Sequence, residues 1–145
     1  MYLGDKFRGG SMMKNTIQII GRQAVPELYE RYSCKNDVFF LEINGRDIVD
    51  WKTYADFITE KMLFPITNPY NKNSYLDWIR DLSWFDKKEY VLVIDHHKEF
   101  MRNDPENKDD VLEMFRDIVL PWWQGDVEKY VVGGKAKPFN IYLVD

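Results

Sequence analysis

At 145 residues, 45% hydrophobic and 30% charged, the chain has the size and balance of one globular domain rather than of a disordered or fibrous protein. A net charge of −4 and a single cysteine, Cys34, argue against the basic stripe of a nucleic-acid binder, a disulfide framework and a cysteine-rich metal site. No apolar run reaches the roughly 18 residues of a membrane span, so no membrane association is expected and a cytoplasmic location is.

Residues 1–13, "MYLGDKFRGGSMM", carry Gly-Gly and no consistent period, and read as a flexible leader. Residues 16–34 read as a weak peripheral element, with Pro26 suited to a helix first turn. Together these make an N-terminal extension, 1–36, before a domain at 37–145. "VFFLEI" (38–43) has a buried-strand pattern closed by the turn dipeptide Asn44-Gly45. Asp50 is placed to cap a helix over "WKTYADFITEKML", whose Trp51, Tyr54, Ala55, Ile58 and Met62 share one face. A loop bracketed by Pro65 and Pro69 leads to a second helix, "NKNSYLDWIRDLSW" (71–84), ending near Trp84-Phe85. There Leu76, Ile79 and Leu82, beside Tyr75 and Trp78, form an apolar face opposite Asn73, Asp77, Arg80 and Asp81.

"YVLVI" (90–94) is the continuous apolar run of a strand covered on both faces. "HHKEFMRNDPEN" begins helical and ends in a polar loop. Asp109 or Asp110 can cap a further helix with a Val111, Met114, Phe115, Ile118, Val119 stripe, and Pro121 places its end nearby. "NIYLV" (140–144) is a strand, which "KYVV" and Gly133-Gly134 join as a hairpin or an ordered loop. Strands separated by helices predict a small α/β domain with a three-stranded parallel sheet packed by helices.

Charge is unevenly spread. Residues 77–117 hold 12 acidic and 7 basic side chains, against 9 and 10 before them and 3 and 3 after. A concentrated acidic field steers basic protein partners into encounter, and it also serves simply as a solvated surface. Asp95-His96-His97, just after a central strand, is the one histidine cluster and would be the centre of a small metal-dependent enzyme. Adjacent helical histidines, however, point about 100° apart, and no H-x-x-x-H or H-x-H spacing exists. Phosphate-cradle, nucleophile-elbow and zincin motifs are all missing. No cofactor is expected, and Trp122-Trp123 reads as a core lid. Asp77 and Asp81, four apart, share a face, and Asp117 lies opposite Met114, Phe115 and Ile118 and so points outward.

In order, "FLEINGRDI", "NKNSYLDWIRDLSW", "EYVLVID", "VLEMFRDI" and "NIYLVD" resemble the barstar family over about residues 38–145. The resemblance implies a small three-layer barstar-like domain. It implies a non-enzymatic cytoplasmic inhibitor, or immunity protein, whose partner is a basic ribonuclease or nuclease-type toxin. The family's key helix aspartate matches Asp77, while the aspartate four residues earlier is Asn73 here. The late-helix acid matches Asp117, a tyrosine of the preceding loop matches Tyr70, and the family's tryptophan before the key aspartate is Leu76. The implied partner-binding set is Tyr70, Asn71, Asn73, Leu76, Asp77, Arg80, Asp81 and Asp117. A barstar-fold interaction module without a nuclease partner is the alternative reading, ahead of the metal enzyme.

Overall fold

The computed structural model describes residues 14–145; the expected leader at 1–13 lies outside the described residues. Four strands form one all-parallel sheet: β1 (Ile17–Ile20), β2 (Val38–Asn44), β3 (Glu89–Asp95) and β4 (Phe139–Val144), in the order β1-β4-β3-β2. The helices are α1 (Val25–Tyr32), α2 (Trp51–Lys61), α3 (Lys72–Ile79), α4 (Pro105–Met114) and α5 (Val127–Tyr130). The α/β architecture is the expected one, with one correction: among the described residues the sheet has four strands, not three. The added strand is "IQII", too short for periodicity to mark it, and it is held in register by Ile17 opposite Ile141 and Ile20 opposite Val144.

Period-two alternation sends the central strands into two cores. Tyr90, Leu92 and Ile94 of β3, with Phe139, Ile141 and Leu143 of β4, join the large core under α2, α3 and α4. Val91, Val93, Tyr142 and Val144 face the other way, where Leu28 and Tyr32 of α1 cover them. The continuous apolar run of β3 therefore does mark a strand buried on both faces, between two helical layers.

A buried asparagine ties the start of the described chain to its end. The Asn15 amide donates to the carbonyls of Leu120 and Lys137 at 3.1 and 3.2 Å, and its side-chain oxygen accepts the Phe139 N–H at 3.0 Å. Asn15→Ala is expected to lower stability by about 1–3 kcal/mol, because it strands a buried N–H and two carbonyls. Urea unfolding monitored by tryptophan fluorescence would read that loss.

Local chemistry explains both the agreements and the departures. Asp50 accepts from the Thr53 N–H at 2.9 Å and caps α2 as expected. The helix expected to be capped by Asp109 or Asp110 starts earlier: α4 begins at Pro105 after Asp104, leaving Asp109 and Asp110 inside the helix rather than at its start. Asp104 Oδ2 instead accepts from the Trp51 N–H and the Asn107 amide. "HHKEFMRN" forms turns instead of a helix, with left-handed backbone at His96 and Met101. α3 ends at Ile79, earlier than expected, and Leu82 takes a positive φ in the loop that follows. "KYVV" does not pair with β4: Tyr130 closes α5 and the rest is loop.

Pro121 does not end the late helix. Two wide-turn π segments, Phe115–Val119 and Trp122–Asp126, carry the helical path onward to α5. In the first, just before Pro121, the Leu120 N–H reaches back to the Phe115 carbonyl, and this widening makes room for the proline ring that would clash in an α-helix. It also rotates the face, so Ile118, expected in the buried stripe, is exposed while Val119 and Leu120 are buried.

Hydrogen bonds hold the carboxylates of Asp50 and Asp104 below their ordinary value, to the Thr53 side chain for Asp50 and to the Asn107 side chain for Asp104. Groups depressed on folding add stability that is present above the unfolded value and lost as pH falls through the folded one. Thermal unfolding is therefore expected at lower temperature as pH drops below 3.8, the ordinary aspartate value, and Asp104→Asn should flatten that slope.

Candidate functional site

α3 is short, and its position is set by contacts at both ends. At its start Asn71 Oδ1 accepts the N–H groups of Asn73 and Ser74 at 2.8 and 3.1 Å, an N-cap. Lys72 Nζ reaches across to Asn107 and, at 2.9 Å, to Asp110 of α4. In the middle, the Tyr75 hydroxyl meets that of Tyr54 of α2 at 2.7 Å, fully buried. Burial pushes both hydroxyls well above their ordinary value, so they stay protonated and bonded.

At the end of α3, two adjacent indoles take its open carbonyls. Trp123 Nε1 donates to Ile79 O at 3.0 Å and Trp122 Nε1 to Arg80 O at 2.8 Å. Trp123 is indeed buried as a lid should be, but the pair sits inside the late helix and cross-links it to α3. Both C-terminal partners were missed as site-shaping residues. The adjacent Trp-Trp was their only sequence signal, and two indole donors side by side on a buried helix need two acceptors.

α3 thus presents Asp77 outward from a fixed base. Asp77 is 75% exposed at its side chain, with Arg80 Nη2 at 3.4 Å from its Oδ1. The Arg80 guanidinium also lies 5.5 Å from the centroid of Trp122. Asp77, Arg80 and Asp81 line an open cavity of about 630 Å³ together with Trp122, Trp123, Val131, Gly133, Gly134, Lys135 and Lys137. Asp86 and Lys137, which also line it, pair with one another, and the Lys137 hydrogen bond holds the Asp86 carboxyl below its ordinary value. Among the described residues no cation pairs with Asp81, whose Oδ1 accepts only the Ser83 N–H, at 3.3 Å. The carbonyl end of α3 adds the negative pole of its peptide dipoles to these carboxylates.

The remaining candidates sit elsewhere. Asn73 is exposed on the first turn of α3, and Leu76 is half-buried against the main core. Tyr70 lies in the loop before α3: its hydroxyl donates to Asp56 at 2.7 Å, its carbonyl accepts from Trp51 Nε1 at 2.8 Å, and Lys52 stands 5.0 Å from its ring centroid. Asp117 is exposed within the first π segment, 3.3 Å from Arg116 and outside the cavity. The fold therefore brings Asp77, Arg80 and Asp81 together at the cavity, with Tyr70, Asn71 and Asn73 towards the other end of α3.

The histidine pair is divided. His96 faces Asp95 and Glu99, while His97 Nε2 lies 2.9 Å from Asp145. Asp95 is occupied by Arg22 at 2.7 Å, whose hydrogen bond holds the carboxyl below its ordinary value. No group of three or more metal-ligating side chains occurs among the described residues, and no described helix is long and apolar enough to cross a membrane.

Comparison with known proteins gives one finding. A family model described as Barstar (barnase inhibitor) matches residues 38–143, a stretch that holds α3, the late helix and three of the four strands. Neither the curated proteins nor the solved structures yielded a match.

Proposed function

The chain belongs to the barstar family, and on that premise we propose that it is a cytoplasmic inhibitor, an immunity protein, of a basic ribonuclease or nuclease-type toxin. The family's description names an inhibitor of barnase, a ribonuclease. The observation that carries the reading is the exposure of Asp77 on a helix anchored at both ends.

A ribonuclease must hold a scissile phosphate with cationic groups, so its catalytic pocket is concave and positive. A carboxylate on a rigid helix occupies the phosphate position and makes charge-assisted hydrogen bonds, bidentate where arginine is present. Rigidity matters because side chains already ordered in the free protein lose little entropy on binding. Asp81, Asp117 and the acid-rich middle of the chain supply a field that raises the association rate. Asn73 removes one charge from the family pattern but keeps a hydrogen-bonding side chain on the same exposed turn. In this reading Tyr70, Asn71, Asn73, Leu76 and Arg80 frame the carboxylates, with Asn71 and Leu76 acting mainly to hold the helix.

RNA-cleavage assays test the proposal. Secreted basic ribonucleases of the barnase class, taken as a panel together with any nuclease the chain captures from culture supernatant, are titrated with the purified chain. Stoichiometric loss of cleavage by at least one of them is expected. Full cleavage by every one at saturating chain would overturn the assignment.

A further inference from the structure

Three carboxylates, Asp77, Asp81 and Asp86, and three cations, Arg80, Lys135 and Lys137, line the cavity at the end of α3. The middle of the chain is acidic, yet the surface around Asp77 is locally balanced. Asp77 itself is already paired, with Arg80 Nη2 3.4 Å from its Oδ1. A helix that works by offering a carboxylate to cations thus carries, three residues on, a charge of the opposite sign.

Arg80 is held by more than that pair. Its Nε donates to the Leu76 carbonyl at 3.1 Å, and its guanidinium lies 5.5 Å from the Trp122 ring centroid. Its own carbonyl accepts from Trp122 Nε1 at 2.8 Å, and the Trp122 ring is stacked on Tyr130 with planes 7° apart. The Arg80 side chain is 33% exposed, against 75% for Asp77. An exposed pair at this spacing is worth only about twofold in an equilibrium constant, so a cation that reaches Asp77 takes it readily. The guanidinium keeps its other contacts, and its charge stays beside the docked cation.

We propose that Arg80 is a specificity-determining residue for the ribonuclease partner: a fixed positive charge that makes Asp77 select a cation focused in a pocket over cations spread across a surface. This deepens the inhibitor reading and rests on it. From a distance Asp77 and Arg80 together carry no net charge, and their field falls off faster than that of a lone carboxylate. A surface with cations spread over it meets both groups at once, so attraction to one is offset by repulsion from the other. A concave phosphate-binding pocket concentrates its cations at one point. Asp77, the more exposed of the two, can enter such a pocket while Arg80 remains against Trp122. Contact with the carboxylate then outweighs the more distant guanidinium.

The test compares wild type with Arg80→Gln, Arg80→Lys and Arg31→Gln. The Trp122 indole bonds the main-chain carbonyl of Arg80, which any residue supplies, so the end of α3 stays anchored in all of them. Arg31 pairs with Glu27 on α1, in the other helical layer, so its loss makes the same change in net charge away from the site. Each chain's Kd is measured at one low salt concentration, for the ribonuclease that wild type inhibits and for lysozyme, a basic protein that is no nuclease. Thermal melts establish that each chain is folded at the assay temperature. In Arg80→Gln the affinity for lysozyme should rise at least about threefold more than the affinity for the ribonuclease. Arg80→Lys and Arg31→Gln should keep the wild-type ratio. An unchanged ratio in Arg80→Gln, or an equal fall in either of the other two, would overturn the role of Arg80 while leaving the inhibitor reading intact. Weaker binding of the ribonuclease by Arg80→Gln would overturn it as well, making Arg80 a support for Asp77. No ribonuclease bound by wild type would overturn both.

Discussion

Asp77→Ala is expected to weaken binding to the inhibited ribonuclease by about 2 kcal/mol or more, roughly 30-fold, the scale of a central hot spot; barnase–barstar is itself among the systems behind that range. Three features of the site make this the largest single loss. The carboxylate is exposed and so reaches a partner without rearrangement, α3 is fixed and so loses little entropy, and the removed charge unmasks a neighbour. With Asp77 gone, the Arg80 guanidinium, 3.4 Å away in the native chain, is left facing a positive pocket and repels it. Asp77→Asn keeps the shape and a hydrogen-bonding oxygen, so it should fall between wild type and alanine. Asp117→Ala should cost less than Asp77→Ala, because Asp117 lies outside the cavity and shares its charge with Arg116. None of these exposed substitutions should move the melting temperature appreciably. Inhibition constants at fixed salt, paired with thermal melts, separate the binding effect from any folding effect.

Trp123→Ala is expected to cost about 3–5 kcal/mol of folding stability, the range for deleting a buried large aromatic side chain. Trp123 is 4% exposed, lies 6.2 Å from Tyr90 and donates to the Ile79 carbonyl. Its truncation opens a cavity between the late helix and the sheet and leaves a buried carbonyl without its donor. Trp123→Phe keeps most of the volume and loses only the donor, so it should cost about 1–2 kcal/mol. Urea denaturation of both variants measures the two contributions separately. Because Trp123 also holds the end of α3, the alanine variant should lose affinity as well, in proportion to how far Asp77 drifts from its native position.

Much of the architecture was legible because its causes are local. The apolar run at 90–94, the Asp50 cap and the Asn44-Gly45 turn each follow from side-chain period or capping chemistry within a few residues. The parts that were not legible depend on distant partners. "IQII" becomes a strand only because β4 offers it an edge. Asp104, at the start of α4, is tied to the Trp51 N–H, 53 residues away in sequence. The helix continues through Pro121 because π turns absorb the proline, and nothing in the local pattern announces a π turn. At the site, Asp77, Arg80 and Asp81 could be placed on one helix from spacing. The indole donors that anchor that helix, and the loop residues that share its cavity, appear only once the late helix is laid beside α3. The histidine pair shows the reverse: adjacent in sequence, its rings are sent to different carboxylates by the left-handed backbone of His96.

Competition with phosphate reads directly whether a helix carboxylate fills the nuclease's phosphate site. The apparent Kd of the chain for the ribonuclease it inhibits is measured against rising guanosine 3′-monophosphate, with ionic strength held constant by a salt that does not enter the pocket. The expected result is an apparent Kd that rises in proportion to nucleotide concentration, with no ternary complex. An apparent Kd indifferent to the nucleotide, with chain and nucleotide bound to the enzyme together, would contradict it.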